Sequence, residues 1–409
     1  MRAYGALLAD QRFRRFWLGL LLVMLADEFV RTTLTWEVYR TTQSSEAVGL
    51  LMVCFTGPII LGGLIAGWLL DRFPRAHVMA ADAALRTAAM ILTAGTIAAA
   101  PGEVAPLFIL AAVQGSLTMV LLAGAPSAIA ELIAPEHRSA ANALEMLGFT
   151  AAGTVGPFLA GLLAGRIGVG IALLLAALCY AVFALTVRTM PIGGGQRPAH
   201  AERVPWRDSG VLHPTVAIIT VMFVIVNIGG GVIAVILPVM VDRGLGLGGE
   251  AYGSLVAVGG IGSSIAAIAA GMFTGTSRLP AAVAIMQVLS GITLLPLAAL
   301  IAWDQPPLAA VVAIYFLYGL ACGPLTVWAQ TIRMRFVAPQ WRGRAFATLR
   351  MIMQSGRPIG GALGGFAIAT VPLTVCIVAA SAIISLPAAL ALCHPAMNKR
   401  LPDVKNTPV

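Results

Sequence analysis

The stretch APEHR at residues 134–138 returns 204 positions later as APQWR at 338–342. The same offset carries Gly49 onto Gly253, Gly67 onto Gly271, Gly115 onto Gly319, Gly156 onto Gly360 and Gly161 onto Gly365. One shared glycine would mean little in a chain with 44 of them. A common offset across several separate segments, together with the loop match, marks an internal duplication. What is duplicated is apolar: each copy holds six hydrophobic runs of about 20 residues, long enough to cross ~30 Å of hydrocarbon as a helix.

Composition agrees. Of 409 residues, 59% are hydrophobic and only 11% charged, which is a membrane protein rather than a set of soluble domains. The continuous runs favour helices over barrel strands, since a helix satisfies its own backbone within lipid. The sequence predicts twelve spans, near 16–39, 47–70, 78–99, 105–130, 140–165, 169–187, 214–241, 251–274, 280–302, 308–332, 345–369 and 372–393. The first is too long for a signal-peptide core and lacks a convincing cleavage site, so it is read as a span. The expected organisation is an N-terminal six-helix bundle (1–187), a linker (188–212) and a C-terminal six-helix bundle with a short tail (213–409). The Gly- and Pro-containing, charged segment RTMPIGGGQRPAHAERVPWRDSG at 188–210 marks the linker.

Charge sets the expected orientation. With the N-terminus inside, inner segments hold 19 of the 26 basic residues and outer loops hold three, Arg40, Arg166 and Arg243. That asymmetry places both termini in the cytoplasm. It also accounts for the net charge of +9 without a nucleic-acid partner, because basic inner loops face an anionic leaflet. The five cysteines have neither metal nor disulfide spacing, and no nucleophile, metal cluster or phosphate-binding loop stands out. No enzymatic activity, cofactor or metal is expected.

The loop after the second span reads GWLLDRFPR (67–75). It resembles the Gly-x-x-x-Asp-Arg-x-Gly-Arg signature of the major facilitator superfamily, with Pro74 where glycine is usual. The stretches APSAIAELIAPEHRSAANAL (125–144) and VWAQTIRMRFVAPQWRGRAF (327–346) resemble its enterobactin-exporter and macrolide-efflux branch. The resemblance covers nearly the whole chain. It implies twelve helices in two pseudo-symmetric bundles and alternating access by rocking. The implied function is proton-coupled efflux of an amphipathic small molecule, a drug-like compound or siderophore, across a bacterial inner membrane. Uptake symport, uniport and lysolipid flipping are the alternatives on the same fold, and a non-transporting receptor or assembly subunit is the distant one. Partners expected are the small-molecule substrate, protons and lipid, with the chain a monomer.

Candidate residues follow. In LVMLADEFVRTTLTW (22–36), Asp27 and Glu28 lie near mid-bilayer, with Arg31 one turn on. A charge there normally faces the bundle interior or a watery cavity. Arg31 reaches either acid, leaving the other as a proton carrier; a fixed ion-pair cluster is the alternative. Ala111 stands where many drug–proton antiporters have a fourth-span arginine, which leaves Arg31 as the candidate for that role. At the cytoplasmic side, Gly67, Asp71, Arg72 and Arg75 form a candidate gate, joined by Glu145 and by Asp82 and Arg86, whose spacing of four suits a mutual pair. The resemblance places Gln114, Thr118, Asn227, Tyr315, Tyr318, Trp328 and Gln330 on cavity-lining helices. Arg357, deep in the eleventh span with no local acid, points to an anionic or zwitterionic cargo or to an acid of the first half. In GFTAAGTVGPFLAG (148–161), Gly156, Pro157 and Gly161 resemble the antiporter signature of drug exporters, in which proline allows a bend and small residues allow close helix approach.

Overall fold

The computed structural model describes residues 7–134, 137–193, 209–272, 278–302, 306–337 and 341–398. Most of the linker, the centres of the two APEHR/APQWR loops, Gly275, which stands 204 positions after Asp71, and the C-terminal tail lie outside the described residues.

All regular structure among the described residues is helical, and apart from short pieces such as Met240–Gly244 and Pro395–Asn398 it falls into twelve segments. The first six are Gln11–Thr42, Ser45–Thr56 continued by Ile59–Arg72, Arg75–Ala99, Ala105–Leu132, Arg138–Ile167 and Val169–Arg188. The second six are Pro214–Val239, Gly249–Met272, Leu279–Ile292 continued by Leu295–Ile301, Leu308–Phe336, Arg342–Gln354 continued by Gly356–Thr370, and Leu373–Leu392. Asp10 caps the first span by accepting from the Arg12 amide at 2.8 Å. The breaks in the second and ninth spans sit beside Pro58 and Pro296, which supply no backbone donor.

Ten of these segments are long and apolar enough to cross a membrane by length and composition alone. The other two have local reasons. The first span carries Asp27, Glu28 and Arg31 within its apolar stretch, and the eleventh is interrupted at Ser355. Outward-facing Leu64, Leu92, Ile109, Ile268, Phe366 and Leu390 give the helices an apolar exterior suited to lipid.

The described residues divide into two compact units. One gathers residues from Met1–Gln43, Cys54–Arg197 and Gly248–Ala257; the other gathers Ser44–Val53, Pro198–Leu247 and Val258–Val409. In the first, the third span packs on the sixth, the first on the fifth and sixth, and the third on the fourth. In the second unit the ninth packs on the twelfth, the seventh on the eleventh and twelfth, and the ninth on the tenth. The pairing pattern is therefore the same in both.

The repeat extends to single contacts. A Cβ at Gly115 would lie 2.2 Å from the Phe55 carbonyl, and one at Gly319 would lie 2.0 Å from the carbonyl of Gly259, the residue 204 positions after Phe55. Likewise Gly161 meets the backbone of Gly253 within the first unit, and Gly49 meets that of Gly365 within the second. These positions require glycine because backbones touch there.

Candidate functional site

The first span is positioned against the fifth by small residues. The Trp17 indole donates to the Leu144 carbonyl at 3.0 Å. One turn further on Gly148 faces Leu21, and a Cβ at Gly156 would lie 2.7 Å from the Glu28 Cβ. Gly156 thus lets the spans approach at the depth of the acidic pair. Gly161 serves the same purpose against Gly249 and Gly253. The fifth helix runs unbroken through Pro157.

Adjacent residues on a helix point about 100° apart, so Asp27 and Glu28 have different partners. Glu28 forms an ion pair with Arg31, one turn along the same helix. Asp27 turns to the third and sixth spans. The Arg86 guanidinium donates through Nη1 to Asp27 Oδ1 at 2.9 Å and to Gln114 Oε1 at 2.6 Å. The same nitrogen lies 3.3 Å from the Tyr180 hydroxyl, and that hydroxyl donates to Asp27. Arg86 Nε faces Asp82 Oδ2 at 3.2 Å. The Arg86 and Tyr180 side chains are fully buried and the Asp82 side chain is nearly so, whereas that of Asp27 retains 33% of its exposure.

This grouping departs from the sequence expectation in three ways. The 82/86 pair forms as its spacing suggests, but Arg86 lies ~16 Å into its helix, at the level of Asp27 rather than near the cytoplasmic start of the span. The arginine facing Asp27 comes from the third span, not from Arg31, and Ala111 is buried. Gln114, read as cavity lining, is 4% exposed and bonded to Arg86. Tyr180 escaped the sequence reading; a tyrosine inside the otherwise apolar GIALLLAALCYAVFALTV was the available signal.

The cluster holds two carboxylates against one guanidinium. Asp82 Oδ1, Arg86 Nη2 and Gln114 Nε2 are buried without a hydrogen-bond partner among the described residues. Buried polar atoms are normally bonded, so the network has spare donor and acceptor capacity.

At the loop that follows the second span, Arg75 forms an ion pair with Glu131 at the end of the fourth span, a partner the sequence reading did not name. Arg72 stacks over the Trp68 ring at 5.7 Å. Asp71 and Gly67 are exposed, and Glu145 is half-buried two turns into the fifth span.

In the second unit, Arg357 donates through Nε to Asn227 Oδ1 at 3.0 Å, while Asn227 Nδ2 donates to the Phe223 carbonyl at 2.8 Å. The Tyr315 and Tyr318 rings meet edge to face at 6.4 Å, with Tyr315 buried and Tyr318 half-buried. Trp328 is used in packing, its indole donating to the Ala270 carbonyl at 3.0 Å. Thr118 bonds its own helix through the Gln114 carbonyl, and Gln330 is half-buried.

A model of the Major Facilitator Superfamily matches residues 16–273. The chain belongs to the major facilitator superfamily. An uncharacterised MFS-type transporter of Sinorhizobium fredii (strain NBRC 101917 / NGR234) is 27% identical over 351 residues, covering 83% of this chain and 84% of that one. Among solved structures, a peptide transporter, POT, superposes with a TM-score of 0.72 at 16% identity, over 93% of this chain and 94% of that one. A D-xylose–proton symporter gives 0.70 at 14% identity, over 98% and 100%. A bacterial homologue of the human lysosomal transporter Spinster gives 0.69 at 16%, over 95% and 97%. At such identities these likenesses establish the fold, and their differing cargoes show how little fold alone says about substrate. The protein is a multi-pass superfamily transporter of small molecules, not an enzyme.

Proposed function

We propose that the protein exports an amphipathic small molecule in exchange for protons, as in the enterobactin-exporter and macrolide-efflux branch. It does so as a monomer in a bacterial inner membrane, with both termini in the cytoplasm. The observation that carries this reading is the cluster of Asp27, Asp82, Arg86, Gln114 and Tyr180. Two carboxylates share a single arginine in a low-dielectric interior, so one negative charge is in excess and a proton is the smallest species that removes it. Asp27 is the exposed member and exchanges that proton; Asp82 stays buried against Arg86. Glu28, neutralised by Arg31, supports the first span rather than carrying protons. Rocking of one six-helix bundle against the other would open the carrier alternately to each side.

The loop at 67–75, with Asp71 and Arg72, acts as a cytoplasmic gate, in which Arg75 and Glu131 tie the third span to the fourth. Gly67 keeps the helix surface clear there, and Glu145 belongs to the same end.

The decisive experiment uses proteoliposomes with an imposed proton gradient and a compound selected from an amphipath library by thermal shift. Accumulation against its own gradient, lost in Asp27→Asn while exchange of labelled for unlabelled compound persists, is the expected result. Transport indifferent both to the proton gradient and to Asp27→Asn would overturn the proposal.

A further inference from the structure

The second unit carries a cation that its own spans do not neutralise. Between residues 258 and 398 the sequence contains a single acid, Asp304, which lies outside the described residues. Arg357 nevertheless lies within the eleventh span, ~20 Å from either end of the segment running from Arg342 to Thr370. Its side chain is exposed, and no carboxylate comes within ion-pair distance among the described residues. A guanidinium at that depth is expensive unless something anionic meets it.

Its placement is rigid. Cβ atoms at Gly356 and Gly360 would lie 2.1 and 1.9 Å from the carbonyls of Val224 and Ile228, and one at Gly231 would lie 2.5 Å from the Arg357 carbonyl. The seventh and eleventh spans therefore touch backbone to backbone on both sides of Arg357. Asn227, one turn beyond Phe223, is itself held by the Phe223 carbonyl, so its Oδ1 presents a fixed acceptor to Arg357 Nε. Anchoring Nε leaves the outer edge of the guanidinium, Nη1 and Nη2, for a second partner. That edge matches the two oxygens of a carboxylate or phosphate.

We propose that Arg357, oriented by Asn227, is the docking point for the acidic group of the transported molecule, which is accordingly an amphipathic anion or zwitterion. The assignment names the cargo class for the transporter proposed above and rests on that reading. The half-buried Tyr318, beside Arg357, supplies an aromatic surface for the apolar body of such a molecule.

The test is equilibrium binding to the purified full-length protein in nanodiscs of zwitterionic lipid, with three matched probes: N-dodecanoylglycine, its methyl ester and dodecylamine. Inorganic phosphate serves as an anion without an apolar body. A charge-assisted contact predicts that the acid binds about tenfold or more tightly than the ester and the amine. Arg357→Gln should bring the acid down to the level of the ester, and Arg357→Lys should retain part of the preference. Equal binding of acid and ester by the wild type, no binding of any probe, or phosphate binding as tightly as the acid, would each overturn the proposal. So would equal losses of acid and ester in Arg357→Gln, since that marks a packing role. Because no proton gradient enters the measurement, failure of proton coupling and failure of anion docking give separable results.

Discussion

Arg86 and Asp27, 59 residues apart in sequence, meet at 2.9 Å and join the third span to the first. Arg86 also faces Asp82 at 3.2 Å, so one fully buried guanidinium holds two acids. Removing it leaves the buried Asp82 and the half-buried Asp27 without a counter-charge, and losing one partner of a buried pair costs about 3–5 kcal/mol. Arg86→Gln should therefore lower the apparent unfolding temperature in detergent sharply, and Arg86→Lys should not restore it, since an ammonium cannot reach Asp27, Asp82 and Gln114 from one planar group. An Arg86→Gln protein as stable as wild type would show that the cluster is not held by this charge.

Neutralising one acid is a different change from removing the arginine. Asp27→Asn and Asp82→Asn each leave one carboxylate facing Arg86, which balances the charge. Each single variant should unfold within about 1 kcal/mol of the wild type, whereas the double variant strands Arg86 and should lose several times more. The non-additivity, read from a double-mutant cycle, measures the excess negative charge. Additive effects would mean that the two acids do not share Arg86.

How much of this was readable beforehand depends on the reach of each interaction. The twelve spans follow from runs of apolar residues, and the boundaries differ from the helices found by a few residues because polar ends such as Gln11–Arg15 continue the helix beyond the hydrocarbon-length core. Pairs within one helix were also legible: Glu28 with Arg31 and Asp82 with Arg86 lie one turn apart, and such spacing is visible in a sequence. Contacts between helices were not. Nothing in the sequence chooses Arg86 over Arg31 for Asp27, or Asn227 for Arg357, since those choices depend on which faces of separate helices meet. The glycines sit between these cases, because their shared offset announced the duplication while their partners emerged only when the backbones were seen to touch.

The Arg75–Glu131 ion pair links the third and fourth spans at a partly exposed end. Its net stabilisation should be modest, about 0–1 kcal/mol, so Glu131→Gln should barely shift unfolding. Its directional role is testable by charge reversal. Arg75→Glu opposes two acids and should slow transport in the proteoliposome assay, and adding Glu131→Arg should recover most of the rate. If the double reversal is as impaired as the single one, Arg75 acts through some other group.

The glycine contacts predict a contrast among residues that look alike in sequence. A Cβ at Gly161 would sit 2.7 Å from the Gly249 carbonyl oxygen and 3.0 Å from the Gly253 Cα, and one at Gly365 would sit 2.9 Å from the Ser45 carbonyl oxygen and 3.1 Å from the Gly49 Cα. These neighbours are backbone, which cannot swing aside like a flexible side chain, so accommodating a methyl group requires helices to separate. Gly161→Ala and Gly365→Ala should each cost about 1–3 kcal/mol of stability. Gly67, in the loop-side turn of the second span, has nothing within 4 Å of its Cβ position. Gly67→Ala should leave stability unchanged or raise it by up to about 1 kcal/mol through helix propensity. Thermal unfolding of the three variants side by side decides the matter. If Gly161→Ala and Gly365→Ala unfold with the wild type, the spans are free to part at those points, and the close backbone approach does not constrain the fold.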